Sequence, residues 1–148
     1  MRKLIQASLI AAILAVPSAW AQQASPVGLW KTIDDETGKP KALIRITENG
    51  GELQGKIEKL FREPSAEQNP KCDKCEGARK DQPIIGMAIV SGLKKDGDGY
   101  TGGEILDPKS GKVYKSKASL SDGGKKFNVR GYVGMPMFGR SQVWVRAE

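Results

Sequence analysis

The chain has 148 residues, with 24 Lys and Arg against 17 Asp and Glu, two cysteines, 18 glycines and no histidine. Without an imidazole it cannot build a Ser-His-Asp or Cys-His nucleophile system, an HExxH zinc site or a histidine general base from its own side chains. The length suits one domain with its own core and is too short for two ordinary ones.

Residues 1–21 have the layout of a secretory signal. Arg2 and Lys3 give the positive start, residues 4–16 are apolar apart from Gln6 and Ser8, and Ala19-Trp20-Ala21 is the small-x-small pattern read by signal peptidase. Cleavage is expected between Ala21 and Gln22, with the product in the periplasm or secreted. The apolar run is shorter than the roughly 20 residues that span a bilayer, so no stable membrane anchor is expected. Subtracting 21 from 148 leaves a 127-residue domain, 22–148, and losing Arg2 and Lys3 takes the net charge from +7 to +5. The remaining charges form no run of five or six of one sign, which reads as a solvated surface and gives no nucleic-acid partner.

Short β-like runs separated by turn chemistry then follow one another. Residues 27–33 open the domain and Asp34-Asp35-Glu36-Thr37-Gly38 turns it. In Ala42-Leu43-Ile44-Arg45-Ile46-Thr47, alternation sets Ala42, Ile44 and Ile46 on one face and Leu43, Arg45 and Thr47 on the other. Glu48-Asn49-Gly50-Gly51 is a hairpin signal, and 52–60 returns. Residues 61–83, with three prolines and both cysteines, are an irregular excursion of the length that is commonly functional or mobile. Strands are then expected at 84–90, 99–107, 112–120, 126–133 and 141–146, separated by turns at 94–98, 107–111 and 121–124. Eight antiparallel strands in sequence order predict an all-β, up-and-down barrel, with a two-sheet sandwich as the alternative.

Gly28-Leu29-Trp30 on the first strand and Gln142-Val143-Trp144-Val145-Arg146 on the last resemble the layout of calycins, the superfamily that contains lipocalins and fatty-acid-binding proteins. The resemblance implies that Trp30 closes one barrel end and that Arg146 packs across its ring. A longer resemblance, to domain-of-unknown-function family 2147 of exported bacterial proteins, rests on Pro83-Ile84-Ile85-Gly86-Met87, Gly102-Gly103-Glu104-Ile105-Leu106-Asp107-Pro108, Gly111-Lys112-Val113-Tyr114 and Val129-Arg130-Gly131-Tyr132 beside those two ends. It implies a fold and a compartment but no reaction. Some members carry a cysteine between the last two strands, where this chain has Met137-Phe138.

Candidate sites are few. Cys72 and Cys75 are three positions apart, and in an oxidising compartment they are expected to pair as a local loop staple. A zinc site would need two further Cys or His ligands that the chain lacks. Asp96-Gly97-Asp98-Gly99 lacks the further oxygens of a calcium loop and reads as a tight turn. No spacing singles out a pair among Glu48, Glu58, Glu104 and Asp107 for acid-base work, so no catalytic residue, metal or cofactor is assigned.

The apolar link at 131–140 has two readings. As a lip at the barrel mouth, Met137 and Phe138, with Met135, contact an apolar ligand; as a plug, the same side chains fill the barrel end, the commoner fate of apolar residues. Arg45, Arg130, Tyr132 and Arg140 complete the candidate ligand-binding set, with an acidic head on an arginine and the surface reading favoured for Arg45 and Arg130. The expectation is a monomeric, non-enzymatic binder of a small apolar or amphipathic molecule. The alternative is a filled barrel that contacts an envelope protein through the excursion. An open pocket of roughly 300 Å³ or more separates the two in favour of the binder.

Overall fold

The computed structural model describes residues 24–148; the segment predicted as a signal and the expected Ala21–Gln22 cleavage junction lie outside the described residues. Eight strands run β1 (Gly28–Ile33), β2 (Pro40–Asn49), β3 (Glu52–Leu60), β4 (Ala88–Asp96), β5 (Gly99–Asp107), β6 (Lys112–Ser121), β7 (Lys126–Tyr132) and β8 (Gly139–Arg146). They pair antiparallel in sequence order and close into one barrel, as alternation and turn spacing predict. Among the described residues, helix is confined to two three-residue 3-10 turns, Gly77–Arg79 and Asp122–Gly124.

Alternation supplies the interior: Ala42, Ile44 and Ile46 from β2, Leu53 and Ile57 from β3, Ala118 from β6, and Phe127 and Val129 from β7 are all buried. The largest departure from the sequence reading is at the fourth strand. The fourth strand starts at Ala88 rather than residue 84, because the Ile84 amide donates to Pro70 O and the Gly86 amide to Ile57 O, making 84–87 the return arm of the excursion. That strand also runs on through Lys94, Lys95 and Asp96, which pair with Thr101, Tyr100 and Gly99 and leave a two-residue turn.

Strand direction sorts the loops onto two ends. The turns at 34–39, 61–87, 108–111 and 133–138 gather at one end, the mouth, while the tight turns and the residues around Ser25 and Arg146 lie at the other. The barrel seam is uneven: β7 and β8 pair from Lys126–Val145 to Tyr132–Gly139, whereas β1 and β8 pair only at Trp30–Arg146 and Lys31–Val145. The β1–β2 register is irregular between Thr32 and Ile33, just beyond that point.

Within the excursion Cys72 and Cys75 form a disulfide with Cα atoms 5.3 Å apart. Both are buried against Met87 and Leu106, so the staple fixes a segment that is itself packed on the barrel. Its docking surface is the β5–β6 turn. A Cβ at Gly111 would lie within 1.9 Å of Lys74 O, so only glycine lets the two backbones meet there.

Candidate functional site

The end of the barrel away from the mouth is filled by aromatic rings. Trp30 and Phe127 have ring centroids 5.3 Å apart, Phe127 and Trp144 6.0 Å, and Tyr100 meets Phe127 edge-on at 6.5 Å. The buried indole N–H of Trp30 donates to Pro26 O at 2.7 Å, and that of Trp144 to Gln142 Oε1 at 3.1 Å, so neither polar handle is stranded. Arg146 seals this end. Its guanidinium sits 4.3 Å above the Trp30 ring and donates to the carbonyls of Gly124, Val27 and Ser25. Trp30 and Arg146 thus hold the places that the resemblance implies.

Above the aromatic floor the barrel is open, with a cavity of about 500 Å³, inside the range of roughly 300–1,000 Å³ typical of small-molecule sites. Its apolar lining comprises Ala42, Ile44, Leu60, Ile89, Leu106 and Val129, over Trp144. The polar lining comprises Thr32, Lys41, Asp107, Tyr114, Arg140 and Gln142, with Phe138 reaching in from the 133–138 loop. Thr32 and Ile33 face Arg140 and Gln142 across the stretch where β1 and β8 no longer pair, so the cavity extends into the gap of the seam.

The charged groups at the mouth are not equivalent. Asp107 accepts from the Lys109 amide at 3.0 Å and the Ser110 hydroxyl at 2.9 Å, and is committed to its own turn. Arg140 spans the seam to Asp35 at 3.0 Å in an exposed ion pair, a contact worth little in solvent and readily exchanged for another anion. Asp34 organises the β1–β2 turn: its Oδ1 accepts from the amides of Thr37 and Glu36, each at 2.9 Å, which holds its carboxyl below the usual value.

Of the residues singled out from sequence, Phe138 and Arg140 line the cavity. Met137 sits beside them, two-thirds exposed. Arg45, Arg130 and Tyr132 are not in the lining; as partners for a ligand inside the barrel they are corrected to the outer surface, where strand alternation sets them. Arg45 ties β2 to Glu58 and Glu148, and those carboxylates hold its guanidinium firmly charged. Arg130 donates from Nε to Pro136 O at 2.6 Å, and its two terminal nitrogens reach Ser141 Oγ at 2.9 Å and Met137 O at 3.4 Å.

The plug reading of the 131–140 link is also corrected. Val133, Met135, Met137 and Phe138 are 55–67% exposed, because Arg130 grips the backbone carbonyls of Pro136 and Met137; of the four, Phe138 borders the cavity. The loop closes as a tight hairpin, with the Val133 amide on Phe138 O and the Phe138 amide on Met135 O. At its base a Cβ on Gly139 would lie 2.3 Å from Gly131 O, so glycine permits the close return.

Among the polar cavity residues, Thr32, Lys41, Tyr114 and Gln142 escaped the sequence reading. Tyr114 alternates with buried Ser116 and Ala118 on β6 and was legible by the same rule that sorted β2. Lys41 precedes the inward Ala42 at the frayed mouth end of β2, and Gln142 is made a lining residue by the gap in the seam; neither carries a local signal. Ser116 itself is fully buried, in register with Gly103 and Gly131, and its hydroxyl has no hydrogen-bond partner among the described residues.

No curated protein matches the chain. The barrel is similar to a solved structure described as "Protein HP1028 from the human pathogen Helicobacter pylori belongs to the lipocalin family", with a TM-score of 0.70 over 84% of each chain and 16% identical residues. At that identity the likeness is one of fold. The family model described as "Uncharacterized protein conserved in bacteria (DUF2147)" matches residues 28–146, from the strand that carries Trp30 to Arg146. The chain belongs to this bacterial family, DUF2147, and its domain is a lipocalin-like eight-stranded barrel.

Proposed function

We propose that the protein is exported to the periplasm and holds a small apolar or amphipathic molecule in the mouth half of its barrel, as a binder and not as a catalyst. The observation that carries this reading is the cavity of about 500 Å³, with apolar walls that carry a few polar side chains. An apolar tail placed against Ile44, Ile89 and Val129 loses contact with water, which contributes roughly 25 cal/mol per Å² buried. An acidic head beside Lys41 and Arg140 takes the place of Asp35 on the guanidinium. The filled-barrel alternative has the aromatic end in its favour, but not the mouth half.

Native mass spectrometry of protein recovered from a bacterial periplasm tests the proposal. The expected result is a chain beginning at Gln22 with a discrete bound mass that organic extraction releases. A bare chain that also fails to bind the anionic apolar probe anilinonaphthalene sulfonate would overturn it.

A further inference from the structure

The basic residues are interspersed with acids along most of the chain but not along its last quarter. Between Lys112 and Arg146 there are eight basic side chains and one acidic, Asp122, so this stretch carries a charge equal to the chain's entire net +7. Strands β6, β7 and β8 contain no Asp or Glu. They are neighbours in the barrel, so the segregation along the chain becomes one wall in space. Lys115, Lys117 and Lys126 are exposed on it, and Lys117, Arg130 and Ser141 stand side by side in register.

The apolar lip grows from the same wall, since 133–138 joins β7 to β8. Residues 131–139 carry no charge, in a chain of which 28% is charged. Exposed Val143 and Val145 continue the apolar surface along β8. Because the Arg130 hydrogen bonds fix the loop backbone, the exposure of Val133, Met135 and Met137 is a built feature of the hairpin.

We propose that the wall of β6–β8 and the 133–138 lip dock the barrel on the surface of an anionic lipid bilayer, with the cavity mouth against the leaflet. The wall supplies charge complementarity to acidic headgroups. The lip is convex and apolar, and a bilayer accepts such a projection below its headgroups without the matching groove that a protein partner would need. Docking of this kind is peripheral and stands apart from what the cavity holds.

The test is sedimentation of the exported protein with vesicles of phosphatidylcholine alone and with about a quarter phosphatidylglycerol, at low and high salt. The expected result is at least about tenfold tighter binding to the anionic vesicles, weakened about tenfold or more by high salt. Lys115→Glu with Lys117→Glu should lower that binding about tenfold or more. Met135→Ser with Met137→Ser should lower it comparably, while both variants keep the wild-type thermal midpoint because all four positions are exposed. Binding that is equal on the two vesicle types, or absent from both, would overturn the proposal. So would a lip variant that binds like the wild type, since the wall would then be a general polyanion surface; Lys115→Gln with Lys117→Gln repeats the wall test without reversing charge.

Discussion

The guanidinium of Arg146 lies 4.3 Å above the ring of Trp30, and the two residues are also register partners where β1 meets β8. One side chain therefore takes part in closing the sheet, covering its core and holding the backbone carbonyls at Ser25, Val27 and Gly124. A cation on an indole face contributes about 0.5–2 kcal/mol, and hydrogen bonds from a charged donor about 1.5–3 kcal/mol each before losses to solvent. Arg146→Ala should cost about 2–4 kcal/mol in urea unfolding. Arg146→Lys keeps the charge but loses the planar fork and should recover less than half of that.

The lip should be separable from stability. Met137→Ala and Phe138→Ala are each expected to shift unfolding free energy by less than about 0.5 kcal/mol, as exposed positions do, against about 3–5 kcal/mol for Trp144→Ala in the floor. Phe138→Ala should weaken anilinonaphthalene sulfonate binding and Met137→Ala should do so less, since only Phe138 lines the cavity.

Ser116 holds a buried hydroxyl without a partner. Ser116→Ala removes the cost of desolvating that group and should raise stability by about 1 kcal/mol, read as a higher thermal midpoint. A drop of that size instead would mean that the hydroxyl is paired.

Asp34 gives the β1–β2 turn a pH dependence. Its folded pKa is lowered from 3.8, chiefly by the amide of Thr37 and then by that of Glu36, so the folded chain binds this proton less readily than the unfolded one. The turn's stabilisation is then complete above the unfolded value and fades as pH falls through the lowered folded one. The difference in thermal midpoint between wild type and Asp34→Ala should be constant near neutrality and shrink below about pH 4.

The disulfide should resist attack. Cys72 and Cys75 are 0% and 2% exposed, and a thiolate needs access to a sulfur to exchange with it. In native protein the bond should survive mild reductant that cleaves it once urea is added, as free-thiol titration would show. Replacing both residues by serine should cost about 1–2 kcal/mol, because the closed ring is short.

Much of the barrel was legible in local pattern. Ala42, Ile44 and Ile46 alternate cleanly, and Asn49-Gly50-Gly51 fixes a hairpin, so strand existence and order followed from two-residue periodicity and turn chemistry. The start of β4 did not, because Ile84 and Gly86 spend their amides on Pro70 and Ile57, partners distant in sequence. The site divides in the same way. Phe138 and Arg140 stood out by composition, whereas the outward placement of Met137 depends on Arg130 holding carbonyls across a hairpin. Lys41 and Gln142 reach the cavity through a gap between the first and last strands. The excess of bases after Lys112 stands in the sequence itself, but that it forms one wall depends on β6, β7 and β8 lying side by side in the barrel.

The brevity of the β1–β8 pairing sets where the molecule breathes. A closed cylinder of eight evenly bonded strands widens only by straining every ladder, but this one is laced at Trp30 and Lys31 and unlaced above them. Amide exchange should therefore be fastest along the mouth half of β8 facing β1, and guest entry and exit should be timed by parting of the Asp35–Arg140 contact and not by unfolding. The bore is then adjustable at one end and fixed at the other, so the protein would grade guests by what fits the aromatic floor while tolerating variation in length at the rim.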